Sequence, residues 1–291
     1  MPPSGCSVII NRLSGSYSDK KVEQVKTFLE QHGLPPRIFL LQDFKEVMLV
    51  TRQICAEQQN PLIIIGGGDG TINGVLNGIN PGTATIAVLP FGTSNVLTRE
   101  LNIYSVEDAL QRITRGVTGT ASVGVIEKET VLKYFLLMAG VGFDGFVVQG
   151  VRIREKRILG KAAYVLSALR HLLNWEKDHM VINAGNRIFQ CHSIIVCNAA
   201  KYAGEFKIAP GASLFDPEFE VVCIQKAARY TYLKAASNML RGKGLIGPDI
   251  CSFKSGELTI SGEKPVQVDG DYYCHGPVKI RIVPEYVKLI V

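Results

Sequence analysis

Hydrophobic and polar positions follow an alternating strand–helix pattern over the first hundred residues. Short apolar runs predict β-strands over 7–10, 37–41, 61–65 and 85–89. Apolar positions at helical spacing predict helices over 20–31, 44–58 and 71–77. The run 61–65, Pro-Leu-Ile-Ile-Ile, lacks polar alternation, which is typical of a central parallel strand covered on both faces. Strands that alternate with helices at this spacing predict a parallel α/β sheet.

The pattern changes after about residue 120, where short apolar stretches are separated by turn residues. This pattern is typical of a mostly antiparallel β domain. The predicted strands cover 134–139, 193–196, 219–224, 257–261, 266–268 and 278–283. One long helical segment, 159–174, interrupts them.

Composition adds broad limits to this picture. A length of 291 residues predicts two domains, and 46% hydrophobic with 20% charged residues argues against disorder. No apolar run approaches the roughly 20 residues that cross a bilayer, and the N-terminus lacks a secretory pattern, so we expect a cytoplasmic protein. Seven scattered cysteines predict reduced thiols, without a disulfide framework or zinc site. The net charge of +6 suits anionic partners and solubility equally well.

A glycine-rich turn, Gly66-Gly67-Gly68-Asp69-Gly70-Thr71, follows the most apolar predicted strand. Glycines let a phosphate approach the backbone, and the helix that follows presents N–H groups and a positive dipole end. Asp69 would repel an isolated phosphate, so its presence predicts a metal ion between carboxylate and phosphate. The alternative is a tight strand-to-helix turn without a ligand.

A second turn, Pro90-Phe91-Gly92-Thr93-Ser94-Asn95, follows the next predicted strand. Adjacent parallel strands bring their carboxyl ends to one edge of the sheet, so the two turns should lie together. Taken alone, this turn is equally typical of a helix start capped by Thr93 or Ser94.

The two turns resemble the GGDGT and P-x-G-T-x-N motifs of the diacylglycerol-kinase catalytic family, especially its bacterial lipid-kinase branch. Further segments resemble other motifs of the family, in chain order. Residues 11–15 resemble N-P-x-S-G, and residues 139–144 resemble G-x-G-x-D. Residues 202–204, 209–212 and Asp216 resemble the substrate-domain signature, and residues 268–271 resemble D-G-E. The resemblance implies an NAD-kinase-like α/β nucleotide-binding domain formed by 1–121 plus 285–291. It also implies a mostly antiparallel β-sandwich substrate domain over 122–284.

The same resemblance implies in-line transfer from ATP to a lipid hydroxyl, such as that of diacylglycerol, in the interdomain cleft. The implied nucleotide-binding residues are Asn11, Gly66, Gly67, Gly68, Asp69, Gly70, Thr71, Asn73, Gly92, Thr93 and Asn95. Asp271 aligns with the proton acceptor, and Asp69 would support a magnesium ion through waters. Asp144 and Asp269 would lie in the substrate cleft. A structural magnesium ion would bind Asp216 with the backbone carbonyls of Ser213 and Glu218.

Three departures from the family pattern bear on activity. Val96 and Ser122 stand where many members carry Asp, and Asp271 stands where Glu is usual. The two losses leave fewer negative groups near the metal, and Asp271 reaches about 1.5 Å less than Glu. One alternative is therefore a catalytically weak nucleotide- or lipid-binding protein. The other is an NAD kinase, although that function needs an acidic residue at the position of Val96.

A basic segment precedes the long helical pattern of the second domain. Its cations are Arg152, Arg154, Lys156, Arg157 and Lys161. With the apolar helix 159–174 and Trp175, it resembles an interfacial helix that docks on an anionic membrane. The alternative is a helix that covers the sandwich. No nucleic-acid-binding signature is present.

Overall fold

The computed structural model describes residues 5–152, 154–155, 159–160 and 162–291. The chain forms two compact units, one reaching to Ser122 and including Pro284–Val291, the other covering Val123–Val283. The first unit has a parallel sheet with helices, and the second has antiparallel sheets. The predicted fold class is confirmed.

The first unit is built on four parallel strands in the order β2-β1-β3-β4. The strands are β1 (Cys6–Asn11), β2 (Pro36–Leu41), β3 (Leu62–Gly67) and β4 (Thr85–Pro90). The helices are α1 (Asp19–Gln31), α2 (Phe44–Glu57), α3 (Asp69–Leu76), α4 (Val96–Glu100) and α5 (Val106–Arg115). Every residue of β3 is buried, as its apolar sequence predicts. Beyond β4, the sheet gains the end of the last strand, where Lys288 and Leu289 pair in parallel with β4.

Side-chain caps set several helix starts in this unit. Ser18 accepts the Lys21 N–H at the start of α1, and Asp43 forms a reciprocal capping box at the start of α2. Ser105 accepts the Asp108 N–H and begins α5, a helix that the apolar pattern did not predict. The predicted helix over 71–77 begins two residues earlier, because Gly68 is its cap and Asp69 its first residue.

The second unit stacks two sheets of antiparallel strands. Its helices are α6 (Phe143–Gln149), α7 (Ala162–Leu173) and α8 (Arg229–Leu240). Its first strands are β5 (Thr118–Lys128), β6 (Val131–Phe135), β7 (Met138–Val141), β8 (Met180–Ala184), β9 (Arg187–Cys191), β10 (Ser193–Cys197), β11 (Lys201–Tyr202) and β12 (Phe206–Lys207). The remaining strands are β13 (Phe219–Ile224), β14 (Ile250–Ser255), β15 (Glu257–Ser261), β16 (Pro265–Val268), β17 (Asp271–His275) and β18 (Val278–Ile290). One sheet has the order β14-β13-β10-β7-β16-β17; the other contains β18-β15-β8-β9 with β5 and β6. Buried residues of both sheets form one core, for example Ile182 and Ile260 with Val196 and Val221.

The predicted continuous strand 134–139 is wrong in one respect. Strand β6 ends at Phe135 and β7 begins at Met138. The backbone N–H groups of Leu136, Leu137 and Met138 donate to the Asp269 carboxylate at 2.9–3.0 Å. A carboxylate from a distant turn therefore takes the place of a ladder partner at this break.

Two other predicted elements change in extent. The predicted strand 278–283 continues without a break to Ile290 as one strand, β18. Within the described residues, the long helical segment is regular over Ala162–Leu173. No helix in the described part of the chain is both long and apolar enough to cross a bilayer.

Candidate functional site

Three loops meet at the carboxyl edge of the first unit's sheet. Strand β1 pairs with β3 so that Ile10 faces Gly66, and β3 pairs with β4 so that Gly66 faces Leu89. The three strands therefore end at nearly the same level. The loops that follow them contain most of the predicted nucleotide-binding residues, which the structure brings together. Asn73 instead lies within the helix α3, where its side-chain oxygen accepts the Asn77 amide at 3.1 Å.

The glycine-rich turn needs its glycines for close packing. A Cβ atom on Gly67 would lie 2.5 Å from the Thr71 hydroxyl oxygen. Gly68 has an extended backbone, and its carbonyl accepts the N–H groups of Thr71 and Ile72, which begins α3. The first N–H groups of a helix have no partner inside that helix, so this end of α3 suits an anion.

The second turn approaches the first through its backbone. A Cβ atom on Gly92 would lie 2.4 Å from Gly68 Cα, so only glycine fits there. Asn95 has a left-handed backbone (φ 50°) and precedes α4. Its side-chain oxygen is buried and accepts no hydrogen bond from any described residue. A buried, unsatisfied acceptor costs about 1–3 kcal/mol, so this oxygen marks a place for a cation or a donor.

Asp69 joins the two turns. Its carboxylate accepts the backbone N–H groups of Val96 and Leu97, each at 3.2 Å. These are the first N–H groups of α4, so Asp69 acts as the cap of a helix in the neighbouring loop. The predicted metal-organising acid thus also holds the second turn against the first.

The loop after β1 completes the cluster. The Asn11 amide donates to the Thr71 hydroxyl at 3.2 Å, and its oxygen accepts the Leu13 N–H at 2.8 Å. Ser16 N–H donates to the Phe91 carbonyl at 2.9 Å. Motifs far apart in sequence are therefore linked directly by hydrogen bonds.

Lys21 is a member of this cluster that the sequence analysis missed. Its ammonium donates to the Ser16 carbonyl at 2.9 Å and lies 5.6 Å from the centre of the Phe91 ring. The signal for it was a basic residue in the first turn of the helix after the Asn11 loop. It adds a positive charge beside loops that already offer backbone N–H groups and hydroxyls.

The chemistry of these loops fits a polyphosphate that brings a magnesium ion. Magnesium typically uses one or two protein carboxylates, substrate phosphate oxygens and waters. Asp69 supplies a carboxylate, and the unsatisfied Asn95 oxygen supplies a neutral ligand. No cluster of three His, Cys, Asp or Glu side chains that could hold a metal occurs among the described residues. Metal binding here would therefore depend on the phosphate itself.

In the second unit, Asp271 follows a tight hairpin turn. Val268 pairs with Asp271, and the two residues that connect them, Asp269 and Gly270, have positive φ angles of 49° and 89°. An Asp-Gly pair of this kind is typical of a two-residue type I′ turn. Asp271 is exposed at the start of β17.

The other two predicted carboxylates of this region contact protein donors. Asp269 caps the chain break after β6, as described above. Asp144 is buried; its oxygens accept from the Tyr202 hydroxyl at 2.5 Å and the Gln267 amide at 2.6 Å. Burial raises the pKa of Asp144, and the two hydrogen bonds oppose that shift.

A lysine accompanies Asp269 and Asp271. Lys133 on β6 is half-buried, and burial lowers the pKa of its ammonium. The negative charges of Asp269 and Asp271 oppose that lowering, so they stabilise the cation. The sequence analysis did not single out this residue, since nothing in the local pattern links β6 with the turn after β16.

The set implied for a structural magnesium ion lies beside a lysine. The Lys254 ammonium lies 3.1 Å from the Asp216 carboxylate and donates to the Gly211 carbonyl. The Ser213 carbonyl accepts the Asp216 N–H at 3.1 Å, and Glu218 is exposed. Lys254 therefore pairs with Asp216 in this structure, and the magnesium site stays a prediction.

Comparison with known proteins matches both units. A family model described as YegS C-terminal NAD kinase beta sandwich-like domain matches residues 138–291. A second, described as diacylglycerol kinase catalytic domain, matches residues 6–126.

Individual relatives extend over most of the chain. A diacylglycerol kinase from Bacillus subtilis is 29% identical over 72% of this chain and 71% of its own length. One from Staphylococcus carnosus is 24% identical over 97% of this chain and 93% of its own. A crystal structure of a diacylglycerol kinase from Bacillus anthracis superposes with a TM-score of 0.80 at 21% identity, covering 99% of this chain and 96% of that one, which shows the shared fold.

The contact of Gly92 with Gly68 gives a direct test of the cluster. We expect Gly92→Ala to force the turns apart at a cost of ~1–3 kcal/mol and to weaken ATP binding roughly tenfold or more, because about 1.4 kcal/mol corresponds to tenfold. Gly68→Ala is the matched control for stability, since its Cβ would lie 3.5 Å from Gly92, an ordinary contact. Calorimetry of ATP binding and thermal unfolding would measure both. Equal melting temperatures and equal affinities for wild type and Gly92→Ala would contradict the assignment.

Proposed function

We propose that this chain phosphorylates the hydroxyl of diacylglycerol. It belongs to the family that joins a diacylglycerol kinase catalytic domain to a YegS C-terminal NAD kinase beta sandwich-like domain. Family membership makes the protein an ATP-dependent lipid kinase. The proposal concerns the acceptor, the magnesium ion and the residues that act. One observation carries it: three loops meet around Asp69 and an unsatisfied Asn95 oxygen at the start of α3.

The nucleotide phosphates would bind where the three loops meet. The first N–H groups of α3 and the hydroxyls of Thr71 and Thr93 suit phosphate oxygens. Asn11 orients Thr71, and Lys21 adds a positive charge at the loop after β1. Phosphoryl transfer depends mainly on such positioning and on neutralisation of charge. The cluster supplies both.

A magnesium ion would be held by Asp69, by the Asn95 oxygen and by the phosphates, and it would neutralise charge on the transferred group. Val96 and Ser122 are both buried and uncharged in this chain. Many family members carry acids at positions 69, 96 and 122. In this chain, Asp69 is therefore the carboxylate left to bind magnesium among these three positions. We expect magnesium affinity without nucleotide to be low. This observation favours the second candidate function, a nucleotide-binding protein with weak turnover.

Asp271 would accept the proton of the attacking hydroxyl. The transition state of phosphoryl transfer is loose, so the hydroxyl loses its proton late and a carboxylate is a sufficient base. The hairpin turn exposes Asp271 at the start of β17. Lys133 on β6 is close enough for the negative charge of Asp271 to stabilise its ammonium.

The base assignment predicts a selective loss of turnover. Asp271→Asn should lower kcat by about 10²–10⁴-fold and leave the KM for ATP unchanged, because the residue does not belong to the nucleotide loops. The assay would follow transfer of label from γ-labelled ATP to diacylglycerol, separated from other lipid acceptors and from NAD by thin-layer chromatography. Glu257→Gln, which removes an exposed partner of Lys279, is the control. Full turnover by Asp271→Asn would refute the assignment, and labelled NAD would indicate the wrong acceptor.

The helices α7 and α8 form a candidate membrane-docking face. Helix α7 buries its small residues Ala163 and Ser167, and the Ser167 hydroxyl donates to the Val147 carbonyl of α6 at 2.7 Å. It exposes large apolar residues one turn apart: Val165 (61%), Leu169 (52%) and Leu173 (78%). A helix that only covers a sandwich would bury its large side chains. The burial pattern therefore favours an apolar partner for this helix.

Helix α8 continues this face. Arg229 donates to the Leu173 carbonyl at 3.0 Å and so joins the two helices. Helix α8 exposes Tyr230, Leu233 and Leu240, with the exposed cation Lys234 beside them. Apolar residues rimmed by cations suit the surface of an anionic bilayer.

The basic segment before α7 is described only in part. Arg152 and Arg154 are exposed; Lys156, Arg157 and Lys161 lie outside the described residues. Trp175 is not part of the face, since its indole N–H donates to the Ala227 carbonyl and its ring packs on Tyr232. The predicted cytoplasmic location and peripheral membrane contact remain parts of this proposal.

Vesicle binding would test the docking face. We expect co-sedimentation with phosphatidylcholine vesicles to increase when anionic phosphatidylglycerol is added. Leu169→Asp should abolish the binding and leave turnover of a short-chain, water-soluble diacylglycerol intact. Ile188→Asp, on β9 and 74% exposed, is the matched control and should bind like wild type. Binding that ignores lipid charge, or that survives Leu169→Asp, would exclude this face.

A further inference from the structure

We propose that Gln267 is a positioning residue for phosphoryl transfer, which holds the turn before Asp271 and is itself fixed by Asp144. The inference rests on the proposed function, because it concerns the residue assigned there as the base. It gives Asp144 a role different from contact with substrate.

The contact is a buried amide between a carboxylate and a turn. Gln267 is 1% exposed. Its amide nitrogen donates to Asp144 at 2.6 Å, and its oxygen accepts the Gly270 N–H at 2.8 Å. Gly270 is the second residue of the hairpin turn, and Asp271 follows it directly. One side chain thus links the buried core of the unit to the residue next to the proposed base.

The backbone around Gln267 is shaped for this link. The pairing of β16 with β17 shifts register between Val266 and Gln267, which is a β-bulge. Bulges redirect side chains and are frequent beside active sites. Gly140 on the neighbouring strand leaves room for the carboxylate, since a Cβ atom there would lie 2.1 Å from the Asp144 oxygen. A larger residue at 140 would displace Asp144.

The direction of the amide follows from the chemistry of its partners. An ionised carboxylate only accepts hydrogen bonds, and the Gly270 N–H only donates. The Gln267 nitrogen must therefore face Asp144, and its oxygen must face Gly270. The Tyr202 hydroxyl donates to the second Asp144 oxygen at 2.5 Å. With both oxygens engaged, the amide has one orientation and cannot flip without losing two hydrogen bonds.

The consequence is that the turn is restrained at several atoms. The Asp269 side chain accepts three backbone N–H groups. The Gly270 N–H donates to Gln267, and the Gly270 carbonyl accepts from the Tyr164 hydroxyl at 3.4 Å. Asp271 has a shorter reach than Glu, so its backbone must be placed accurately. A misplacement of about 1 Å can cost roughly 10²-fold in rate.

A buried amide could instead serve stability alone, and a change of hydrogen-bond polarity separates the two roles. In Gln267→Glu, an ionised glutamate would face the Asp144 carboxylate and repel it. When protonated, the same side chain can donate to Asp144 and accept from Gly270. Its turnover should therefore be depressed at pH 8, by about 10–100-fold, and recover as pH falls. Wild-type turnover should show no such recovery, because the Gln267 amide does not titrate.

The paired exchange is the decisive variant. In Asp144→Asn with Gln267→Glu, the asparagine amide can donate to the glutamate, its oxygen can accept from Tyr202, and the glutamate can accept from Gly270. Every hydrogen bond is kept, and the negative charge moves from position 144 to position 267. We expect this double variant to recover most of the wild-type kcat at pH 8, whereas each single variant does not. The KM for ATP should stay constant throughout.

Hydrogen exchange of a peptide covering 268–275 measures the restraint on the hairpin turn independently of catalysis. Exchange at Gly270 should rise in Gln267→Met and in Gln267→Glu at pH 8, and return to the wild-type rate in the double variant. Unchanged kcat and exchange in Gln267→Glu, or no recovery in the double variant, would overturn the inference. Failure of the proposed function has a different signature: wild type would not phosphorylate diacylglycerol, or Asp271→Asn would be fully active.

Discussion

The close approach of two backbone turns at Gly68 and Gly92 is the constraint on which the nucleotide loops depend. No side chain fits at Gly92, where a Cβ atom would lie 2.4 Å from Gly68 Cα, and Asp69 reinforces the contact by capping the first N–H groups of α4. The loop after β1 joins them through Asn11 and Ser16. Because the contact is between backbones, it fixes the N–H groups that a phosphate would meet. Residues from three separate motifs therefore act as one surface.

The predicted acids divide into those that hold loops and one that faces solvent. Asp69 holds α4, Asp269 holds the break between β6 and β7, and Asp144 holds Gln267 and Tyr202. Each accepts more than one donor, so each fixes a segment that is distant in sequence. Asp271 is exposed at the start of β17. Under the proposed function, three carboxylates therefore fix loop geometry and Asp271 is the proton acceptor.

Much of the fold could be predicted because its signals are local. The all-apolar run of β3 predicts a buried parallel strand, and the adjacent parallel strands predict that the two turns lie together. The break at Leu136 and Leu137 could not be predicted, since it depends on Asp269 from a turn far along the chain. The same holds for Gln267, whose local pattern is that of an ordinary strand residue.

Helix α7 and the Asp216 loop illustrate the same limit. The apolar spacing of α7 was visible in the sequence, but which face is buried depends on Ser167 and its contact with α6. The family resemblance implied a cation at Asp216. Lys254, which pairs with Asp216 in this structure, lies on β14 opposite Glu220, and its position follows from a sheet register that the sequence does not show.

The central claim is that ATP phosphates bind where the three loops of the first unit meet. Hydrogen exchange with and without magnesium and a non-hydrolysable ATP analogue tests it most directly. The account predicts slower exchange in peptides covering 11–17, 66–72 and 91–98, with no change over α8. Saturating nucleotide binding that leaves these three segments unprotected would contradict the account.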